Sequence, residues 1–381
     1  MPHLLLLFIL SASAVCAEKA APVSVSMFFD NIHHYQALAD SKTYPRFKET
    51  QWADIADNIL LMQRDNGGWA SNWDPLRVIP PEEISVHQDR KAAKDTTFDN
   101  RSTYTHMLYL SEVYKRTAEE RFRAGAEKAL QFILDAQYEN GGWPHSYPQK
   151  EGYLSRITIM DDVMVGVLSA LRKVCSEESS VSFLDDALRL RAEKAWQCGH
   201  RCLLDLQVRV DSMPTVWAGQ YDERTLEPAA GRSFELPGLV SLESATVVHY
   251  LMKEAPQTEE TVYAVECAID WFKKSQINGL RIDRIDCEPV QYKYRVSRKD
   301  VVAVPDPEAP PLWARFYEIG TNRPFMANRD GTKVYSIEEL EHERRSGYAW
   351  YGTGPALLLE EYASWKKPQT ICSEARECVE K

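Results

Sequence analysis

The sequence is short of positive charge. Its 45 Lys and Arg stand against 56 Asp and Glu, a formal charge of −11. Such a balance repels phosphate backbones and anionic lipid, which argues against a nucleic-acid or membrane-surface protein. It also works against any long anionic ligand unless cations are gathered locally. Long hydrophobic runs are missing too. The apolar stretch in "MPHLLLLFILSASAVCA", residues 4–10, is too short to cross a bilayer. With small residues leading to Ala17 it reads as a secretory signal cut after that residue, despite having no Lys or Arg before the apolar run. No later segment is apolar enough to span a membrane, so no membrane association is expected once the signal is removed. Cysteine spacing excludes a zinc site. After removal of 1–17, Cys175, Cys198, Cys202, Cys267, Cys287, Cys372 and Cys378 remain, an odd set that leaves at least one thiol free in a single chain. Cys198 and Cys202 are spaced for packing on a helix, and Cys372 and Cys378 could close a small loop. There is no Ser-rich linker and no added sugar-binding module. The chain is therefore expected to hold one catalytic domain over 45–365. Residues 18–44 are read as a peripheral N-terminal extension and 366–381 as a peripheral tail. Oligomeric state leaves no mark in the sequence.

What is present is a repeat. "QRDNGGWASNW" begins at Gln63 and "QYENGGWPHSYP" at Gln137. Apolar runs also end in Gln207 and Gln276, so the glutamines stand 74, 70 and 69 residues apart. Between them lie segments with apolar residues at helical spacing, in "THMLYLSEVYKRT", "VMVGVLSALRKVC" and "ESATVVHYLMKE". Each unit of ~70 residues is read as two helices. A helix pair cannot bury both of its faces alone, so stacked pairs close into a ring. The fold class expected is all-α, an (α/α) toroid or incomplete barrel. The Gln-ended helices are placed on its inner side, and the Asn-Gly-Gly turn is expected to stop them through a left-handed glycine. Trp69 and Trp143 are read as packing residues.

Chemistry-bearing residues cluster between the repeats. "FDNRSTYTHM" and "ITIMDDVMVGVL" place Asp99 and Asp161 before equivalent helices, facing one mouth of the ring. Asp99, Asn100, Asp161 and Asp162 could simply cap those helices. Paired carboxylates could instead hold Ca²⁺ through oxygen ligands, or serve as a glycosidase acid/base pair. "GRSFELPGL" carries Arg232, and "APPLWARFYEIGTNRPFMANRDG" and "RRSGYAWYGTGP" combine Arg with aromatics, a set suited to sugar stacking and carboxylate forks. Residues 283–310 are read as a long loop over the site.

The set "FDNRSTYT", "QYENGGWPHSYP", "ITIMDDVM", "TVWAGQYDERTLEPA", "SFELPGLVSLES" and "PPLWARFYEIGTNRP" resembles polysaccharide lyase family 10, the pectate lyases, over residues 45 to 362. The resemblance implies β-elimination on polygalacturonate, with Ca²⁺ held by Asp99 and Asp161 and Arg232 as the base. Arg315 is the implied substrate-carboxylate clamp. Asn100, Asp162, Trp217, Gln220 and Arg323 are implied groove residues. An arginine base is chemically demanding, because the group normally stays protonated. Departures from the family pattern stand at Arg101, which follows Asn100, at Met160-Asp161-Asp162, and at His106, where an acid is common. Two readings compete with the lyase: a non-catalytic uronan-binding toroid, and a glycoside hydrolase using the Asp pair. A terpenoid cyclase is disfavoured by the signal and by the missing acidic diphosphate motif.

Overall fold

The computed structural model describes residues 23–38, 43–149, 151–176, 181, 183–292 and 296–377, with side chains to 366. The helices are α1 (Phe29–Leu38), α2 (Trp52–Met62), α3 (Pro81–Asp89), α4 (Tyr104–Thr117), α5 (Glu120–Asp135) and α6 (Val163–Val174). They continue as α7 (Asp186–Asp205), α8 (Ser241–Lys253), α9 (Glu259–Lys274), α10 (His342–Gly347) and α11 (Gly354–Glu377). Helix α4 packs on α6, α6 on α8, and α8 on α11, while α2, α5 and α7 follow one another alongside. The result is the expected (α/α) toroid, trimmed with short strands.

The order of the layers reverses the sequence expectation. Helices α4, α6 and α8 bury residues around most of their circumference. The Gln-ended α5, α7 and α9 bury one stripe and leave the rest to water. A helix flanked by protein on both sides is an inner helix, so the Gln-ended helices form the outer layer.

The repeat has a hydrogen-bond meaning. Gln63 Nε2 donates to Gly67 O at 2.9 Å and to Gly125 O of α5 at 2.9 Å. Gln137 does the same to Gly141 O and to Ala195 O of α7, at 2.9 and 2.8 Å. Gln207 reaches Thr215 O and Ala264 O of α9, both at 2.9 Å. Each glutamine thus ties its own turn to the next outer helix. The tryptophans answer in kind: Trp69, Trp143, Trp217 and Trp313 donate their indole N–H to Ile59 O, Ile133 O, Leu203 O and Phe272 O, carbonyls in the last turn of the preceding outer helix. Carbonyls in a helix's last turn have spare acceptor capacity, and Ile59 O and Phe272 O take the indole in addition to the Gln63 and Ser275 amides.

The glycines have a different role from the one expected. The helices end at Gln63, in an extended conformation, and at Ala136, still right-handed. Gly67 and Gly141 lie further on, at φ +99° and +94°, where a Cβ would come 2.3 Å from the carbonyl oxygens of Lys128 and Cys198. They allow the turn to rest directly on the neighbouring outer helix.

Three further expectations change. Residues 283–310 hold a long antiparallel hairpin, Leu280–Gln291 against Val296–Pro305, rather than a loop. Its Ile282, Val301 and Ala303 pack on a second apolar cluster around Phe234, Phe316, Phe325 and Trp350. The N-terminal extension is not peripheral, since α1 packs on the turn that carries Asp99. Helix α11 runs to Glu377, through the boundary expected at 365. Cys175, Cys198, Cys202, Cys267 and Cys287 are free thiols. The pairing suggested for Cys372 and Cys378, and the signal at 1–17, lie outside the described side chains and residues. No described helix is long and apolar enough to cross a membrane.

Candidate active site

The inner helices α4 and α6 are each preceded by a short turn of unusual backbone. In Asp99–Arg101, Asn100 (φ 51°) and Arg101 (φ 62°) are left-handed. In Met160–Asp162, Asp161 (φ 52°) and Asp162 (φ 59°) are left-handed. Asn and Asp tolerate this conformation better than other side-chain-bearing residues. The matching dihedrals align Asn100 with Asp161 and Arg101 with Asp162, so Asp99 corresponds to Met160. The two carboxylates therefore come from positions one residue out of step, not from equivalent ones. Neither Asp99 nor Asp161 serves as a cap, and Asp162 makes no cap hydrogen bond at the start of α6. Helix α4 is instead capped by Thr103, with His106 Nδ1 accepting the Thr103 amide at 3.1 Å.

Four charged side chains converge above these turns. Asp161 has the Arg315 guanidinium 3.7 Å away. Burial raises its pKa to about 7, with help from the Asp99 charge and against Arg315 and Arg232. Burial acts on Asp99 in the same direction, but the hydrogen bond and charge of His145 (3.5 Å), with Arg232, bring its pKa below the usual value. One carboxyl is thus held ionised and the other is poised near neutrality.

The arginines are less free than the sequence suggests. Arg232 is half exposed to the cleft, but its guanidinium pairs with Glu235, whose other oxygen accepts the Arg232 amide at 2.9 Å. Burial works against the Arg232 cation, and Glu235 more than offsets it, so the group is held more firmly protonated than usual. Arg315, only 12% exposed, has its Nε and Nη2 on Glu243 Oε1, with Nε at 2.8 Å. The Nε–Nη2 edge of the expected substrate clamp is therefore engaged inside the protein, by Glu243 and beside Asp161. Tyr348 lies between the two cations, 4.6 Å from Arg315 and 5.6 Å from Arg232, and donates to Glu235 Oε1 at 2.7 Å. Asp30 of α1 completes the rim; burial raises its pKa against the charges of His34 and Arg101.

Trp217, Gln220 and Asn100 of the other groove assignments are buried, whereas Arg323 and Asp162 are not. Trp217 is 0% exposed and is the third of the repeat tryptophans, with no face for a sugar. Gln220 is 3% exposed and ties Tyr153 O (3.2 Å) to Thr158 Oγ1 (2.7 Å) across its strand. Asn100 is buried, donating to Asn72 Oδ1 at 2.7 Å and Asp99 Oδ2 at 3.2 Å, which orients the carboxylate. Arg323 lies over Tyr335 at 3.4 Å. Asp162 is paired with Arg101 at 2.8 Å. These two departures from the family pattern are therefore each other's partner, a bridge between the two turns. His106 is not at the site: it is fully buried and stacked on Trp69 and Trp73, each at 5.1 Å.

The residues that sequence reasoning did not single out are Glu235, Glu243, Tyr348, His145 and Asp30. All but Asp30 lie within quoted motifs, but nothing local distinguishes them. As a cation site, the cluster is half built. Among the described residues no group of three or more His, Cys, Asp or Glu could hold a metal. Asp99 and Asp161 offer hard oxygen donors, and Glu243 Oε2 is a buried oxygen without a partner. Two carboxylates of raised mutual repulsion fit a hard divalent cation whose remaining ligands come from outside the chain. Beside them, a cavity of about 420 Å³ runs between His33 and Ala37 of α1, the hairpin and Tyr348.

Comparison with known proteins gives two findings. The family model described as pectic acid lyase matches residues 63–359. Among solved structures, a family 10 polysaccharide lyase from Cellvibrio cellulosa superposes with a TM-score of 0.69 at 26% identity, over 91% of this chain and 98% of that one. An aspartate-to-alanine mutant of a family 10 polysaccharide lyase from the same organism, in complex with trigalacturonic acid, gives the same score and identity over 90% and 99%. No curated protein matches.

Proposed function

The chain belongs to the pectic acid lyase family, the family 10 polysaccharide lyases, and from that premise we propose that it is a secreted pectate lyase. Its substrate is polygalacturonate, cleaved by Ca²⁺-dependent β-elimination to 4,5-unsaturated oligogalacturonides. The observation that carries this reading is the pair of cap-free carboxylates, Asp99 and Asp161, facing Arg232 and Arg315 at one mouth of the toroid. Arg232 and Arg315 are each already paired with a carboxylate, so the positive charge that a polyanionic substrate requires would come from the cation held by the two aspartates.

In β-elimination a base removes the C5 proton, that electron pair becomes the C4–C5 double bond, and the C4–O bond breaks with its electrons leaving on oxygen. Water is not added. Asp99 and Asp161 would hold the cation, which when bound supplies charge to the uronate carboxylate and makes the C5 proton more acidic. Arg232 is the base. It is the half-exposed cation of the cluster, and its neutral form requires release from Glu235. Arg315 keeps Asp161 oriented, and Asn100 does the same for Asp99. The apolar run before Ala17 supports export.

Ultraviolet absorbance of polygalacturonate incubated with residues 18–381, first with Ca²⁺ and then with excess chelator, tests the reading. A rise that chelation abolishes is expected, together with its loss in Arg232→Ala. Reducing ends without absorbance would mean hydrolysis, and neither signal would mean binding alone or a different uronan.

A further inference from the structure

Helix α1 precedes the segment matched by the family model and occupies the stretch read from sequence as a peripheral extension. Asn31, in its first turns, is fully buried. A buried amide is costly unless its donors and acceptors are used. Asn31 Nδ2 donates to Asn100 O at 2.8 Å and to Ser102 Oγ at 3.2 Å. Its Oδ1 accepts the Asn72 amide at 2.8 Å and the Ser102 hydroxyl at 3.3 Å. Every partner lies in one of two loops, and both loops are strained. Asn72 (φ 62°), Asn100 (φ 51°), Arg101 (φ 62°) and Thr103 (φ 67°) all have positive φ. Thr103, a β-branched residue, sits at the centre of a γ-turn closed by the Tyr104 amide on Ser102 O at 2.8 Å. That conformation is rare and persists only where the surroundings impose it.

The connection continues to the chemistry. Asn72 Oδ1 receives Asn100 Nδ2 at 2.7 Å, and the same Asn100 amide group donates to Asp99 Oδ2 at 3.2 Å. One side chain of α1 thus sets the separation of two loops, and Asn100, held at both its carbonyl and its amide, aims the Asp99 carboxylate. We propose that Asn31 is a positioning residue of the active site, which holds the Asp99–Arg101 turn in its left-handed form so that Asp99 can serve as a cation ligand. The inference rests on the lyase reading given above.

The test compares wild type, Asn31→Ala and Phe28→Ala in the mature chain. Phe28 is a fully buried neighbour of α1 that packs on His106 and Tyr109, so its substitution loosens the helix without removing the Asn31 amide. The measurements are Ca²⁺ affinity by calorimetry in the presence of trigalacturonate, kcat and KM on polygalacturonate, and Tm. Loss of a group that orients a metal ligand costs about 10–100-fold in affinity. Asn31→Ala is expected to weaken Ca²⁺ binding by that much and to lower kcat. Phe28→Ala is expected to lose Tm with Ca²⁺ affinity kept. If both variants lose Ca²⁺ affinity in proportion to Tm, or if Asn31→Ala binds Ca²⁺ within about twofold of wild type, the positioning role is overturned. A wild type that neither binds Ca²⁺ nor eliminates would refute the lyase reading itself, a distinct failure that takes this inference with it.

Discussion

At the scale of single residues, the site is governed by which partner each charge has already taken. Arg232 carries the proposed base role yet is paired with Glu235, and the carboxylate keeps the guanidinium protonated against the opposing effect of burial. If the neutral guanidine takes the C5 proton, the rate rises with pH as that form appears. Glu235→Gln removes the charge that raises the Arg232 pKa, so the alkaline limb of the kcat profile is expected to move to lower pH. A limb that stays in place would show that loss of the Arg232 proton does not control the reaction. Arg101 and Asp162 illustrate the same point. Each departs from the family pattern, and the 2.8 Å bridge between them leaves no net charge added to the groove.

At the scale of elements, the turn after each outer helix is the repeated part. Its glutamine and tryptophan satisfy carbonyls on two helices, and its first glycine lies against the backbone of the next one. At Gly141, alanine faces both a positive φ and a Cβ placed 2.3 Å from Cys198 O. Backbone atoms in the middle of a helix cannot move aside cheaply, so Gly141→Ala is expected to cost about 1–3 kcal/mol in urea unfolding. Gly279 gives the control: its φ is +72° with nothing within 4 Å of a Cβ, so alanine there meets the conformational cost alone. Equal losses at the two positions would mean that contact with α7 does not matter.

At the scale of the whole molecule, stability is linked to a buried imidazole at the head of the innermost layer. His106 is enclosed by Trp69, Trp73 and Phe28, and burial lowers its pKa to about 3. In the unfolded chain a histidine titrates near ~6.5. Between these values the unfolded state binds a proton that the native state refuses. The contribution is therefore fully present above ~6.5 and is lost as pH falls toward ~3, at about 1.4 kcal/mol per pH unit. His106→Gln, which retains a side-chain acceptor for the Thr103 amide, is expected to flatten the acid limb of stability measured by denaturant unfolding. An unchanged slope would mean that other groups dominate acid unfolding.

The sequence by itself determined the repeat, the helix pairs and hence the ring, because the 3.6-residue period and the recurring Gln-ended apolar runs are local patterns, two of them marked by the full Gln-x-x-Asn-Gly-Gly-Trp phrase. It also marked the stretches that hold Asp99, Asp161, Arg232 and Arg315. Tertiary structure decided the rest. Which helix of a pair lies inside depends on what covers its second face, and no single helix encodes that. The one-residue offset between Asp99 and Asp161 arises from left-handed turns whose strain is held by distant side chains, Asn31 among them. Trp217 and Gln220 look like groove residues in sequence because aromatic and amide side chains serve equally well as buried ties. The roles of Glu235, Glu243, Tyr348 and His145 are set by contacts that, apart from Arg232 with Glu235, join residues tens of positions apart, and such proximity exists only once the ring has closed.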